Sequence, residues 1–268
     1  MKTILITGAT SGIGRALALH YAQAEARLIL VGRNAERLQA VGELCREKGA
    51  EVHSALLDVR ARDVISPWMV DMDRRFQINL LIANAGISGG TGKVQAADLS
   101  DAAGEDPQQL RAIFDINING VVNTVTPLLN RMIERQSGQI AIMSSLASFS
   151  AWPTAPAYAA SKAAMRIYGE SLRGAHKKDG VKINVICPGF IKTPLTDMND
   201  FPMPFIMEPE KAAVKIARAL DKNRGRIAFP WPTYWFSGFI GLLPSSWALA
   251  LLSRFPKKPA ITGLSSDR

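Results

Sequence analysis

A chain of 268 residues that is 47% hydrophobic, 21% charged and 7% aromatic can close a buried core, which excludes disordered, collagen-like and disulfide-stapled classes. Its two cysteines (Cys45, Cys187) and three scattered histidines (His20, His53, His176) match no metal-ligand spacing, so metal-free chemistry in a reducing compartment is expected. The net charge of +9 is concentrated late: from Lys211 onward ten basic residues face only Asp221 and Asp267, which argues against a nucleic-acid groove spread over the fold.

Met1 and Lys2 lead at once into an apolar run, so no cleaved leader is expected. Strands are predicted over 3–7, 27–31, 51–57, 79–83, 139–143 and 181–186, and helices near 12–25, 34–48, 60–76, 107–135, 157–178 and 209–222. Strand–helix alternation with near-continuous Ile/Leu/Val strands predicts an α/β fold, a Rossmann-type doubly wound parallel sheet forming a single domain. Residues 1–226 are assigned to this catalytic unit and 227–268 to a C-terminal extension. The least regular stretches are 87–107, rich in Gly and Ala, and 190–210, which carries four prolines with Met and Phe and suits a substrate loop.

Directly after the first strand comes Thr7-Gly8-Ala9-Thr10-Ser11-Gly12-Ile13-Gly14, then an amphipathic helix. Glycines there let the backbone approach a pyrophosphate, whose charge is favoured at the helix N-terminus. The second strand ends Leu30-Val31-Gly32-Arg33. An arginine in the place where an NAD site has a carboxylate pairs with a 2′-phosphate, so NADP(H) is the expected cofactor and NAD(H) the less favoured one.

Tyr158 and Lys162 lie four residues apart, on one face of the helix expected from 157. A phenol titrates near pH 10, and the nearby ammonium, with the positive charge of oxidised nicotinamide, is expected to lower that value. Upstream, Ser145 follows the apolar strand Ile140-Ala141-Ile142-Met143, where a hydroxyl emerges at the carboxyl edge of the sheet. Ser144 is adjacent, and strand alternation points the two to opposite sides.

These motifs, in this order, resemble the short-chain dehydrogenase/reductase family over roughly residues 3 to 195. Thr7 to Gly14 matches T-G-x-x-x-G-x-G; Asp58-Val59 resembles the adenine-contacting pair; Asn84-Ala85-Gly86 resembles the N-A-G turn; Tyr158 and Lys162 form Y-x-x-x-K. Pro188-Gly189 through Ile191 to Thr193 resembles the P-G-x-x-x-T segment that meets the nicotinamide. The resemblance implies that Tyr158 exchanges a proton with the substrate oxygen, Ser145 polarises it, Lys162 holds the nicotinamide ribose and Asn117 anchors a proton-relay water, with Asn119 a nearby rival. It also implies a homodimer or homotetramer built on the two long helices.

The chain departs from that pattern at its end. No V-D-G-G-like stretch follows the short run Gly225 to Phe229, and no charged residue occurs between Arg226 and Arg254 in a segment rich in Trp, Phe and Leu. Pro244-Ser245-Ser246 breaks it into two short apolar helices, with Arg254, Lys257 and Lys258 as a basic fringe. Three uses stay open: an interfacial segment on an anionic membrane, a subunit interface or substrate lid, and a true span. The expected activity is an NADP(H)-dependent oxidoreductase on a hydrophobic carbonyl or alcohol, cytoplasmic and able to sit on the inner face of a membrane. The alternative is a non-catalytic NADP(H)-binding sensor or scaffold.

Overall fold

A computed structural model describes residues 1–92, 105–258 and 260–261. The Gly/Ala-rich stretch expected to be irregular, 87–107, therefore lies partly outside the described residues.

The chain runs β1 (Lys2–Thr7), α1 (Gly12–Tyr21), β2 (Ala26–Gly32), α2 (Ala35–Glu47), β3 (Glu51–Leu56), α3 (Arg62–Phe76) and β4 (Leu80–Ala83). It continues through α4 (Pro107–Phe114), a π-helical turn (Asp115–Asn119), α5 (Gly120–Glu134), β5 (Gly138–Met143), a 3-10 turn (Leu146–Phe149) and α6 (Pro156–Ala175). The last elements are β6 (Val181–Pro188), α7 (Pro209–Asp221), β7 (Arg226–Phe229), α8 (Trp231–Leu242) and α9 (Ser245–Leu252).

The strands form a seven-stranded sheet in the order β3-β2-β1-β4-β5-β6-β7, and each neighbouring pair is parallel. Period-two alternation decides what each face buries. Ile4, Ile6, Leu28 and Leu30 pack under α1, α2 and α7 against Leu17, Leu38 and Ile216. Leu5, Ile29, Val31 and Leu81 face the other way, against Met69 of α3, Leu128 of α5 and Met165 of α6. Chain order reverses between β1 and β4, and open sheets of this kind hold ligands in the crevice beyond the strand ends at that point.

Three differences from the sequence-based expectation have local causes. The short run before Phe229 is a seventh strand, paired with β6 from Val185↔Arg226 to Pro188↔Phe229; four residues are too few to show alternation. The first helix stops at Tyr21 rather than 25, because Ala22 takes an extended conformation. The long helix expected over 107–135 is interrupted by the π turn, which leaves one extra residue in the winding and turns Asn117 fully inward.

Candidate active site

Beyond the carboxyl edge of the sheet lies one continuous cleft of about 1200 Å³ that runs from Arg33 past the glycine loop to Tyr158 and on to Phe236. Its floor at the coenzyme end is stitched by Asn84. The Asn84 amide donates to the carbonyls of Thr7 and Gly8 at 3.0 and 3.2 Å, and the Thr7 hydroxyl accepts from the backbone of Asn84 and Ala85 at 3.1 Å. Gly14 is packed beneath this knot; a Cβ there would stand 2.2 Å from the Gly8 carbonyl oxygen, so it holds the helix close and does not line the cleft. Ser11 is the N-cap of α1 yet makes no side-chain cap, and no acidic residue occupies the first turn. The first N–H groups of α1 thus have no side-chain acceptor, the condition an anionic pyrophosphate fills.

At the adenosine end Arg33 leans toward Asp58, with 3.7 Å between guanidinium and carboxylate, while Arg60 pairs with the same carboxylate at 2.7 Å. Burial pushes the Asp58 carboxyl up, but its bonds to Arg60 outweigh that and hold it below the usual range. Arg37, one turn into α2, also lines this end.

The reacting end is positioned by α6 and β5. Pro156 starts α6, and the Glu105 carboxylate accepts the Ala157 N–H at 2.9 Å, a cap supplied from 52 residues away. One turn on, Tyr158 and Lys162 both face the cleft. Lys162 is 4% exposed; its Nζ donates to the Met143 carbonyl at 3.1 Å and lies 5.8 Å from the Tyr158 ring centre. Ser145 lines the cleft with them, and its hydroxyl caps the 3-10 turn by accepting from Ala147 N–H. Ser144 instead donates to the Lys162 carbonyl at 2.7 Å, and so braces α6 against the sheet.

The sequence-based expectation of an acidified phenol does not hold for Tyr158 in these protein surroundings. Burial raises the phenol above its ordinary value of 10, and the Ser145 hydroxyl offsets this only in part. Burial also pulls the Lys162 ammonium down, to about 8.

Asn117 makes no contact with the cleft. Its amide accepts from Ile87 N–H and donates to the Ile87 carbonyl, both at 2.9 Å, and donates to Ser161 at 3.0 Å, so it ties the turn after β4 to α6. Asn119 bonds Asp115 instead. Gly8, Thr10, Ser11, Gly12, Ile13, Arg33, Asp58, Val59, Asn84, Ala85, Gly86, Ser145, Pro188, Gly189, Ile191 and Thr193 all line the cleft with Tyr158 and Lys162. Sequence reasoning passed over Trp152 and Ser88 on the opposite wall, and over Lys258, which it counted only as a basic fringe.

The apolar terminal segment divides its two sides. Phe236 and Ser237 of α8, with Phe255 beyond α9, close the cleft, whereas Trp231, Trp235 and Leu242 are 72%, 69% and 85% exposed. No helix among the described residues is long and apolar enough to cross a membrane, and α8 and α9 are separate short helices on either side of Pro244. Among the described residues no group of His, Cys, Asp or Glu is placed to hold a metal.

A family model described as short chain dehydrogenase matches residues 2–201. The chain belongs to the short-chain dehydrogenases. A relative from Myxococcus xanthus named uncharacterized oxidoreductase is 35% identical over 231 residues, 86% of this chain and 88% of its own. The solved short-chain dehydrogenase from Sphingobium yanoikuyae in complex with NADPH superposes with a TM-score of 0.75 over 98% of this chain and 99% of its own, at 22% identity. A short chain dehydrogenase from Mycobacterium paratuberculosis bound to NAD superposes at 0.70 over 85% of this chain and 94% of its own, at 24% identity. This short-chain dehydrogenase is therefore an oxidoreductase whose family binds a nicotinamide coenzyme.

Proposed function

We propose that the enzyme is an NADP(H)-dependent reductase or dehydrogenase that interconverts a hydrophobic carbonyl compound and its alcohol. The observation that carries this reading is the gathering of Ser145, Tyr158 and Lys162, with the ammonium 5.8 Å from the ring centre, in a cleft continuous with the glycine loop. When bound, the nicotinamide coenzyme supplies or takes the hydride. Tyr158, held protonated by burial, donates its proton to the carbonyl oxygen during reduction and accepts one from the alcohol during oxidation. Ser145 hydrogen-bonds the same oxygen, and Lys162 holds the ribose and supplies positive charge beneath the phenol. Asn117 fixes the turn after β4 against α6, the helix that carries Tyr158 and Lys162.

Arg33, standing directly after β2 in place of a carboxylate, together with Arg37 at that end, supports NADP(H). Asp58 does not compete for a ribose in the same way, because Arg60 and Arg33 already neutralise it. Apolar walls from Phe190, Phe201, Met203 and Phe236 support a hydrophobic substrate. Exposed Leu110, Val122 and Ile167 on α4, α5 and α6 support self-association through those helices. The exposed tryptophans of α8, near Arg254 and Lys257, support docking of the cytoplasmic enzyme on an anionic bilayer beside the cleft mouth.

The test follows NADPH and NADH oxidation with methyl ketones of graded chain length. Turnover that rises with chain length and prefers NADPH is expected. Coenzyme binding without turnover of any carbonyl or alcohol would leave the binding-only alternative standing.

A further inference from the structure

The chain's last described residues form a built wall of the cleft. Gly92 N–H donates to the Lys258 carbonyl at 2.8 Å, and Ile261 N–H donates to the Gln109 side-chain oxygen at 2.7 Å. Gly90 makes the approach possible, since a Cβ there would stand 2.4 Å from Lys258 Cβ and 2.5 Å from its carbonyl oxygen. Phe255 meets the Trp152 ring edge-on with centres 5.7 Å apart. Thus anchored, Lys258 sends its ammonium into the cleft, 2.5 Å from the Ser88 hydroxyl and 5.3 Å from the centre of the Tyr158 ring.

That placement needs a reason. The hydroxyl of Ser88 is neutral, and among the described residues no carboxylate pairs with Lys258. Burial pulls its ammonium down to about 8, with no charged partner opposing the shift. An ammonium in such surroundings is costly unless a ligand brings the counter-charge. Lys162 approaches the same ring at 5.8 Å, so two cations flank the phenol. A neutral ketone brings no counter-charge for the second of them.

We infer that Lys258 is a substrate-binding residue that pairs with a carboxylate carried a few bonds from the reacting carbonyl, so that the substrate class is an oxo acid with an apolar chain. The inference rests on the oxidoreductase reading for the word substrate, while the anion site itself stands on geometry alone. The apolar walls take the chain, Tyr158 and Ser145 take the carbonyl oxygen, and Lys258, held over the ring by the tail, takes the acid.

The anion site is read first without turnover. Calorimetric titration of the full-length protein at neutral pH compares octanoate with 1-octanol. Octanoate is expected to bind about tenfold more tightly, the worth of one charge-assisted hydrogen bond. Lys258→Met, which keeps the length and apolar packing of the stem, is expected to abolish that preference, and Lys258→Arg to keep it. A preference that survives in Lys258→Met, or is missing from the native chain, overturns the proposal. Kinetics then compare β-oxooctanoate with methyl hexyl ketone under both coenzymes. A kcat/KM ratio that favours the acid and collapses in Lys258→Met supports the substrate assignment, and a ratio indifferent to Lys258 overturns it. If neither compound is reduced while the octanoate preference holds, the oxo-acid substrate assignment is overturned and the anion site stands.

Discussion

The two walls of the cleft are built by different means. The coenzyme wall comes from short segments that each follow a strand, so the sheet delivers Gly8, Arg33, Asp58 and Asn84 to one edge with the spacing already set in the chain. The opposing wall is assembled from Trp152, in the long connection between β5 and α6, and from Phe236, Phe255 and Lys258, which follow the last strand. One wall is therefore built from local motif and the other from distant packing. The hydrogen bond from Lys258 to Ser88 spans 170 positions.

The largest effect that sharpens this contrast is expected at the junction of the walls. Tyr158→Phe should lower kcat by about three orders of magnitude, the range for a lost general acid, with NADPH affinity within about twofold by fluorescence titration. A turnover number close to native would break the assignment. The same phenol sets the pH behaviour of the native enzyme. Its pKa is raised above 10, so the acid form persists through neutrality. Carbonyl reduction should hold at neutral pH and fall above about pH 8, where Lys162 loses its charge, whereas alcohol oxidation, which needs the phenol's base form, should favour higher pH. Parallel profiles in the two directions would contradict it.

A smaller effect is expected on the coenzyme wall. Arg33→Ala should weaken NADPH by about tenfold, the worth of one charge-assisted contact, and leave NADH nearly unchanged, as dissociation constants would show. Equal losses for both coenzymes would mean that Arg33 acts only through Asp58.

What was legible from the residues follows the same division. The parallel sheet showed in its Ile/Leu/Val strands, and the cleft-lining positions of Ser145, Tyr158 and Lys162 followed from their places at the end of β5 and on one face of α6. The π turn was not legible. An extra residue in a helix leaves the apolar period almost intact, and it is the packing of Asn117 on Ile87 and Ser161 that makes it visible. The phenol's shift was misjudged for a related reason: charge proximity can be read from spacing, but desolvation depends on what surrounds the pair. Lys258 looked like one of three similar cations in a fringe. Only the close seat offered by Gly90 separates it from Arg254 and Lys257.

Because β7 hands the chain directly to α8 at Trp231, the described residues after the sheet join it covalently at one end and are held at the other by Ser88, Gly92 and Gln109. Grafting that terminal stretch from a related enzyme onto this scaffold would exchange the occupant of one wall without disturbing a strand. Such recombination offers a route by which one hydride-transfer apparatus is handed from substrate to substrate.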